Sequence, residues 1–326
     1  MRCFVTGGSG FVGRELIRAL VAAGHGVRAI ARSEKSEATV RAAGAEAVRG
    51  DLADVEAMQQ GMQGCDWIFH AAAHTEEWDT DEAFWRVNVV GTDNVMAAGK
   101  AAGVKRFVLI SSEAVLADGS ALVDVDETRP LPEKALPGYP FSKGECERRV
   151  RAANQPGVFE TVIVRPRYIW GRGDTSVLAK FVEGVKAGRF KWIGGGRYPT
   201  STTHVANVCE GALLAAEKGK PGETYFLTDG KPVEFRWFLT ELMKTQGRTL
   251  PEGNVPLGLA KVAAAAGEGI WRMLKLKGTP PATRVTIALM GQHCTINDAK
   301  ARRELGYVGR VSHEEGLAEL AKLPPV

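Results

Sequence analysis

Long apolar runs are missing from this sequence of 326 residues. No stretch approaches the roughly eighteen apolar residues that a membrane-spanning helix needs. No apolar leader precedes the first strand-like run at Arg2 either, so a cytoplasmic location is expected. Cysteine is scarce: Cys3, Cys65, Cys146, Cys209 and Cys294 are an odd number, lie far apart and contain no C-x-x-C. That pattern argues against a disulfide framework and against a metal site, and reduced, buried thiols are expected. Charge of one sign is not concentrated anywhere. Lys and Arg number 42 against 38 Asp and Glu, with no run of five or six like charges, which argues against a nucleic-acid partner. Internal repeats and low-complexity tracts are absent as well.

What is present is an ordinary globular composition, 44% apolar and 25% charged. The length suits a nucleotide-binding domain that carries a smaller companion. Up to about residue 165, short β-branched runs (Cys3–Thr6, Val27–Ala31, Ala45–Arg49, Trp67–His70, Phe107–Ser111, Thr161–Val164) alternate with helical periodicity (Phe11–Ala23, Ala38–Ala43, Val55–Met62, Asp81–Ala102, Phe141–Ala153). Such alternation predicts an α/β, doubly wound parallel sheet of the Rossmann type over residues 1–165. After Pro166 glycine-rich turns and prolines break the rhythm, and residues 166–326 are expected to form mainly a substrate-binding domain. A helix at Val205–Glu217 and a strand at Thr224–Leu227 predict that residues 200–230 rejoin the main sheet, leaving the two domains interleaved.

The segment Thr6-Gly7-Gly8-Ser9-Gly10-Phe11-Val12-Gly13 follows the first strand and opens the first helix. Glycines at 7, 10 and 13 fit a tight turn, a close approach to a pyrophosphate and close helix packing, with the helix N-terminus facing the phosphates. The second strand ends Ile30-Ala31-Arg32-Ser33, where an acid would hold the ribose 2′-hydroxyl of NAD. Arg32 instead suits the 2′-phosphate of NADP, so NADP(H) is the preferred cofactor, with NAD(H) as the alternative if Glu34 or a backbone group handles the ribose. Asp51 and Leu52 are expected at the adenine, although Asp51 could equally cap the helix near Val55. Ala71, Ala72 and Ala73 follow His70 and let the cofactor lie against bare backbone.

A second constellation is Tyr139-Pro140-Phe141-Ser142-Lys143, with Ser111-Ser112 at the end of the fifth strand. Residues four apart share a helical face, so Tyr139 and Lys143 can meet as general acid/base and its partner, the ammonium lowering the phenol's pKa. Lys143 can also hold the nicotinamide ribose. Ser112 is expected to hydrogen-bond the reacting oxygen, while strand alternation sends Ser111 to the other face.

With T-G-G-S-G-F-V-G (6–13), G-D-L (50–52), H-A-A-A (70–73), N-V-V-G-T (88–92), S-S-E-A-V (111–115), Y-P-F-S-K (139–143) and R-P-R-Y-I-W-G (165–171), the chain resembles an extended short-chain dehydrogenase/reductase. Within that superfamily, Thr224–Val233 is most similar to the 3β-hydroxysteroid dehydrogenase-like group, which includes sterol-4-carboxylate dehydrogenases and bacterial reductases of long-chain 3-oxo acids. The resemblance implies an enzyme interconverting a secondary alcohol and a ketone, with Ser112, Tyr139 and Lys143 as catalytic residues. It further implies that Asn88 orders a proton-relay water or its own helix, and that Pro166 to Ile169 border the nicotinamide. Two other readings compete. A nucleotide-sugar epimerase or dehydratase shares the fold and the chemistry, and a redox sensor would bind NADP(H) without turnover.

His74, Trp78, Tyr168, Trp170 and His204 are candidates for the substrate pocket, against the plainer reading that they are core. Val255–Met290 mixes apolar residues with Lys261, Arg272, Lys275, Lys277 and Arg284. It suits either peripheral contact with a membrane, a lid over a hydrophobic substrate such as a sterol or long-chain 3-oxo acid, or plain packing. The resemblance also implies a homodimer through the Asp81–Ala102 and Phe141–Ala153 helices.

Overall fold

The computed structural model describes residues 1–325. Seven parallel strands form the central sheet: β1 (Arg2–Thr6), β2 (Gly26–Ala31), β3 (Glu46–Arg49), β4 (Trp67–His70), β5 (Arg106–Ile110), β6 (Glu160–Pro166) and β7 (Thr224–Leu227). Their spatial order is β7-β6-β5-β4-β1-β2-β3, so the winding reverses between β1 and β4 and opens a crevice beyond their carboxyl ends. Alternate strand residues feed opposite layers. Cys3, Val5, Val108 and Val164 face the layer that contains α1 (Phe11–Ala22), while Phe4, Phe107 and Leu109 face the layer that contains α3 (Val55–Met62) on the other side. Fully buried valines such as these contribute roughly 1.5–3 kcal/mol each.

Local chemistry sets the helix boundaries. Between β2 and β3, α2 (Glu34–Ala42) starts ahead of the expected Ala38 because Ser33 closes a capping box with Ser36. The next helix, α4, runs over residues 81–101 and was expected to be regular, but Trp85–Val90 is π-helical between an α-helical turn at Asp81–Phe84 and the α-helix Gly91–Ala101. Thr92 Oγ1 and Cys146 Sγ both donate to the Asn88 carbonyl, at 2.6 and 3.1 Å, and so compete for an acceptor of the regular ladder. Then α5 (Tyr139–Ala152) begins two residues before the expected Phe141, with Pro140 in the first turn, where no N–H partner is needed.

The second layer contains α6 (Val177–Lys186), α7 (Val205–Lys218), α8 (Phe235–Lys244), α9 (Leu257–Met273), α10 (Arg284–Met290), α11 (Ala299–Leu305) and α12 (His313–Leu320). Of these, α7 and α11 return to the main sheet, where α7 packs on α1 and β7 pairs with β6. A small four-stranded sheet joins Val233–Glu234, Pro199–Thr200, Cys294–Ile296 and Leu122–Val125. A separate core gathers Tyr168, Trp170, Leu178, Trp192, Phe235, Phe238 and Leu242.

One buried ion pair ties α5 to the sheet. Glu147 and Arg165 are almost fully buried, and Arg165 Nε donates to Glu147 Oε1 at 2.8 Å while Ser111 Oγ donates to the same oxygen at 2.7 Å. Burial opposes the carboxylate, but Arg165, Arg151 and these hydrogen bonds outweigh it and hold the Glu147 pKa below the usual range. A folded-state pKa below the unfolded one means that the stabilisation is present at neutral pH and is lost as pH falls through the carboxylate range. Glu147→Leu strands the Arg165 guanidinium, and a loss of about 3–5 kcal/mol is expected, read as a lower urea midpoint at neutral pH. The gap between variant and wild type should narrow as the medium is acidified.

Candidate functional site

At the crevice, the glycine loop is shaped by contacts that leave no room for a side chain. A Cβ on Gly13 would lie 2.1 Å from the Gly7 carbonyl oxygen, and one on Gly7, whose φ is +72°, would lie 2.6 Å from the Ala72 nitrogen. Gly7 thereby sits directly against the Ala71-Ala72 backbone, and Ala73 continues that extended segment. Gly10 is the N-cap of α1 and supplies no side-chain cap, so the N–H groups of Phe11, Val12 and Gly13 open the helix toward the crevice, beside exposed Ser9. Arg32, at the end of β2, is exposed and has no ion-pair partner among the described residues. Asp51 is exposed and Leu52 half-buried, its side chain lying over Gly91. Asp54, and not Asp51, caps α3 by accepting from Ala57 N–H at 3.0 Å, while Asp51 Oδ1 accepts from Ala53 N–H at 3.4 Å in the turn before the helix.

Below the crevice a chain of buried polar groups fixes the floor. Thr6 Oγ1 and His70 Nδ1 are 2.6 Å apart, and His70 Nε2 lies 2.9 Å from Thr92 Oγ1. Burial, reinforced by the nearby Lys143 ammonium, pushes the His70 pKa down to about 3. The ring is therefore neutral, and it donates from Nε2 because Thr92 spends its own proton on the Asn88 carbonyl. Asn88 itself is buried. Its Oδ1 accepts from His74 N–H at 2.6 Å, and its Nδ2 donates to the His74 carbonyl at 3.1 Å and to Ser142 Oγ at 2.9 Å. It fastens the segment after β4 to α5.

Tyr139, Lys143 and Glu147 follow one another at four-residue steps along α5. Lys143 is buried, donates from Nζ to the Ile110 carbonyl at 3.0 Å, and has its pKa lowered by burial. The Tyr139 phenol bonds with the Ser112 side chain, yet burial and then the Glu113 carboxylate push its pKa up. The lowering expected from Lys143 is thus overruled, and the phenol keeps its proton well above neutral pH. Ser112 is on the site side of β5 and Ser111 on the Glu147 side, as alternation requires. The Ser112 proton, however, goes to Glu113 Oε2 at 2.7 Å, and Ser112 Oγ accepts from Ala114 N–H at 3.1 Å.

Three of the candidate pocket residues lie elsewhere. Trp170 is fully buried, donates from Nε1 to Asp229 Oδ2 at 2.7 Å and stacks on His313. Tyr168 packs edge-on to Phe238, and His204 caps α7 and abuts Trp170. Tyr168 and Trp170 belong to the aromatic core of the second layer, and His204 is held beside it by its backbone N–H, which donates to Asp229 Oδ1 at 2.6 Å. By contrast His74 is partly open, 2.8 Å from Asp79 Oδ2 and against the Phe84 ring, and half-buried Trp78 lies under the Arg272 guanidinium of α9. Pro166 ends β6, and partly exposed Ile169 follows in the short strand Ile169–Trp170. Glu113, Glu147 and Arg167 were missed in the sequence. The first immediately follows the serine pair and the second stands one helical turn after Lys143, spacings that could have drawn attention.

The sequence profile of the 3-beta hydroxysteroid dehydrogenase/isomerase family matches residues 4–257. A protein of Stigmatella aurantiaca named 4-hydroxy-2-methyl-3-oxo-4-farnesyl-3,4-dihydroquinoline-1-oxide ketoreductase is 53% identical over 325 residues, covering 100% of this chain and 97% of its own. A 2-alkyl-3-oxoalkanoate reductase of Stenotrophomonas maltophilia is 36% identical over 98% of each chain. Among solved structures, gox2253 superposes with a TM-score of 0.78 at 28% identity over 97% of each chain. The match spans the glycine loop, the serine pair and the Tyr139–Lys143 helix, and the chain belongs to the 3-beta hydroxysteroid dehydrogenase/isomerase family.

Proposed function

We propose that this dehydrogenase acts as an NADP(H)-dependent reductase, converting the ketone of a hydrophobic substrate into a secondary alcohol. The observation that carries the reading is a phenol, Tyr139, kept protonated beside Ser112 at the mouth of the crevice. A proton donor serves reduction, in which the carbonyl oxygen gains a proton as its carbon gains a hydride. The nucleotide supplies that hydride when bound. The loop fits such a group, since Gly7 and Gly13 leave backbone bare where a pyrophosphate would rest. Phe11, Val12 and Gly13 N–H groups, with Ser9, would hold the phosphates, and Arg32 the 2′-phosphate. Asp51 and Leu52 would border the adenine, Lys143 the ribose, and Pro166 and Ile169 the nicotinamide. The names of the Stigmatella and Stenotrophomonas relatives, a reductase of a farnesylated quinoline and one of alkylated oxoalkanoates, support an apolar substrate over a sugar nucleotide.

The surface supports the same reading. The inner side of α9 carries buried Ala260, Ala264 and Glu268 with half-buried Leu257 and Trp271, and on the opposite side Leu259, Val262, Ala266, Ile270 and Met273 face outward. Leu259, Val262 and Met273 are 61%, 68% and 74% exposed. With an apolar outer side rimmed by Lys261, Arg272, Lys275 and Lys277, this helix suits an anionic lipid surface. Its 17 residues are too few to cross a bilayer. Arg272 of this helix lies over the Trp78 ring, 5.2 Å from its centre. Trp85 and Phe141, exposed and stacked at 6.3 Å between α4 and α5, are the face we assign to a homodimer.

Tyr139→Phe removes the proton donor alone, so a loss of about 10²–10⁴-fold or more in kcat with little change in nucleotide affinity is expected; an active variant would remove Tyr139 from the chemistry. Arg32→Ala should weaken NADPH binding by roughly ten- to a hundredfold and leave NADH nearly unchanged. Equal effects on both nucleotides in a fluorescence titration would place Arg32 outside the site. In sedimentation with phosphatidylcholine vesicles, the chain should pellet only when phosphatidylglycerol is included. Leu259→Asp combined with Val262→Asp should abolish that binding while the folded enzyme keeps its turnover of a water-soluble ketone.

A further inference from the structure

Two cations of α9 make contacts with the nucleotide-binding layer. Lys261 Nζ donates to the Gly119 carbonyl at 3.2 Å, and about 16 Å farther along the helix the Arg272 guanidinium covers the Trp78 ring. Gly119 belongs to the segment that follows β5 and Ser112, and Trp78 to the segment that follows β4 and Ala71–Ala73. The helix thus bridges two loops that leave the carboxyl ends of neighbouring strands, at the end of the sheet where Ser112 and Tyr139 stand. What α9 buries is slight: Ala260, Ala264 and Glu268, whose carboxylate accepts from the backbone N–H and Nε of Arg284 at 2.6 and 2.7 Å and pins the helix to α10. Each loop has an anchor of its own. Asn88 holds the His74 backbone, and Gln292 Nε2 donates to the Ser120 carbonyl at 2.7 Å, so release of α9 leaves both loops in place.

Glu268 is the only acid between residues 257 and 277, and its burial leaves the outer side of the helix to Lys261, Arg272, Lys275 and Lys277. The cations that rim the apolar outer side therefore include the two that fasten the helix down. A side chain bonded to a lipid phosphate is drawn away from its inner partner. We infer that α9 is a lid whose two latches, Lys261 on Gly119 and Arg272 on Trp78, pass to the phosphates of an anionic bilayer, so that the site opens where its apolar substrate is dissolved. The lid turns about the Glu268–Arg284 pair while Leu259, Val262, Ile270 and Met273 enter the acyl boundary. A surface shifts such an equilibrium only by its difference in affinity for the two states, and the two released cations supply that difference. Both latches are single exposed contacts, which sets the expected change at about tenfold. This inference rests on the reductase and membrane readings above.

The test assays a water-soluble ketone with NADPH in buffer, with phosphatidylcholine vesicles, and with vesicles that also contain phosphatidylglycerol. Turnover should rise about tenfold with the last alone. Ala264→Cys gives a readout free of catalysis. Ala264 is fully buried on the inner side of the lid and the five native cysteines are buried, so a water-soluble maleimide should label the introduced thiol about tenfold faster on phosphatidylglycerol vesicles than in buffer. Lys261→Met combined with Arg272→Met removes both latches at exposed positions, and in buffer this variant should turn over about as fast as the wild type does on those vesicles. A variant no faster than the wild type in buffer overturns the latches. Vesicle binding without a change in turnover or labelling overturns the lid and leaves the membrane contact standing. Failure to bind vesicles overturns the membrane reading and the lid with it. Faster labelling without turnover of any ketone supports the lid and overturns the reductase reading.

Discussion

The contact between Glu147 and Arg165 is the constraint on which the site depends. A charged pair with almost no access to water is costly unless each member is well satisfied, and here Ser111 and Arg151 complete the carboxylate's shell. Because Glu147 lies on the α5 face that also carries Lys143 and Tyr139, fixing it to β6 fixes the rotation of the helix. The same bond explains the division of labour in the serine pair. Ser111 is consumed in holding the helix, and Ser112, one residue on and on the opposite face, is left for the crevice.

Polar groups packed this tightly interact through charge as well as shape. Burial, with help from Lys143, keeps His70 neutral, and a neutral His70 can bridge Thr6 and Thr92 under the loop without adding a second cation beside the ammonium. Glu113 acts in the opposite sense on the phenol. The site is thus set with a buried lysine, a neutral imidazole and a protonated tyrosine, each held by a neighbour on a different element.

The parallel sheet, the glycine loop and the Tyr139–Lys143 helix were legible in the sequence because each is written in local periodicity. Strand bounds agree to within a residue or two, and Thr224–Leu227 was found as it stands. Legibility failed where the decisive partner is distant. Trp170 and His204 looked like pocket residues until Asp229 and His313, brought by other elements, enclosed them. The small four-stranded sheet, whose members come from residues 122 to 296, leaves no local pattern at all. Charge pairs such as Glu113 with Arg167 are equally invisible, since sequence records neither burial nor the direction of a side chain.

The π-helical stretch at Trp85–Val90 has a consequence for how this helix can vary over time. An α-helix turns by about 100° per residue, so a wide turn that takes in an extra residue offsets everything beyond it by that angle. Asp81–Phe84 and Gly91–Ala101 are therefore two helices in series, out of phase, with Asn88 at the seam reaching His74 on one side and Ser142 on the other. Removing a single residue here would restore ideal geometry and swing Asn88 out of reach of both. The number of residues in this segment is therefore as much a part of the site as Asn88 itself.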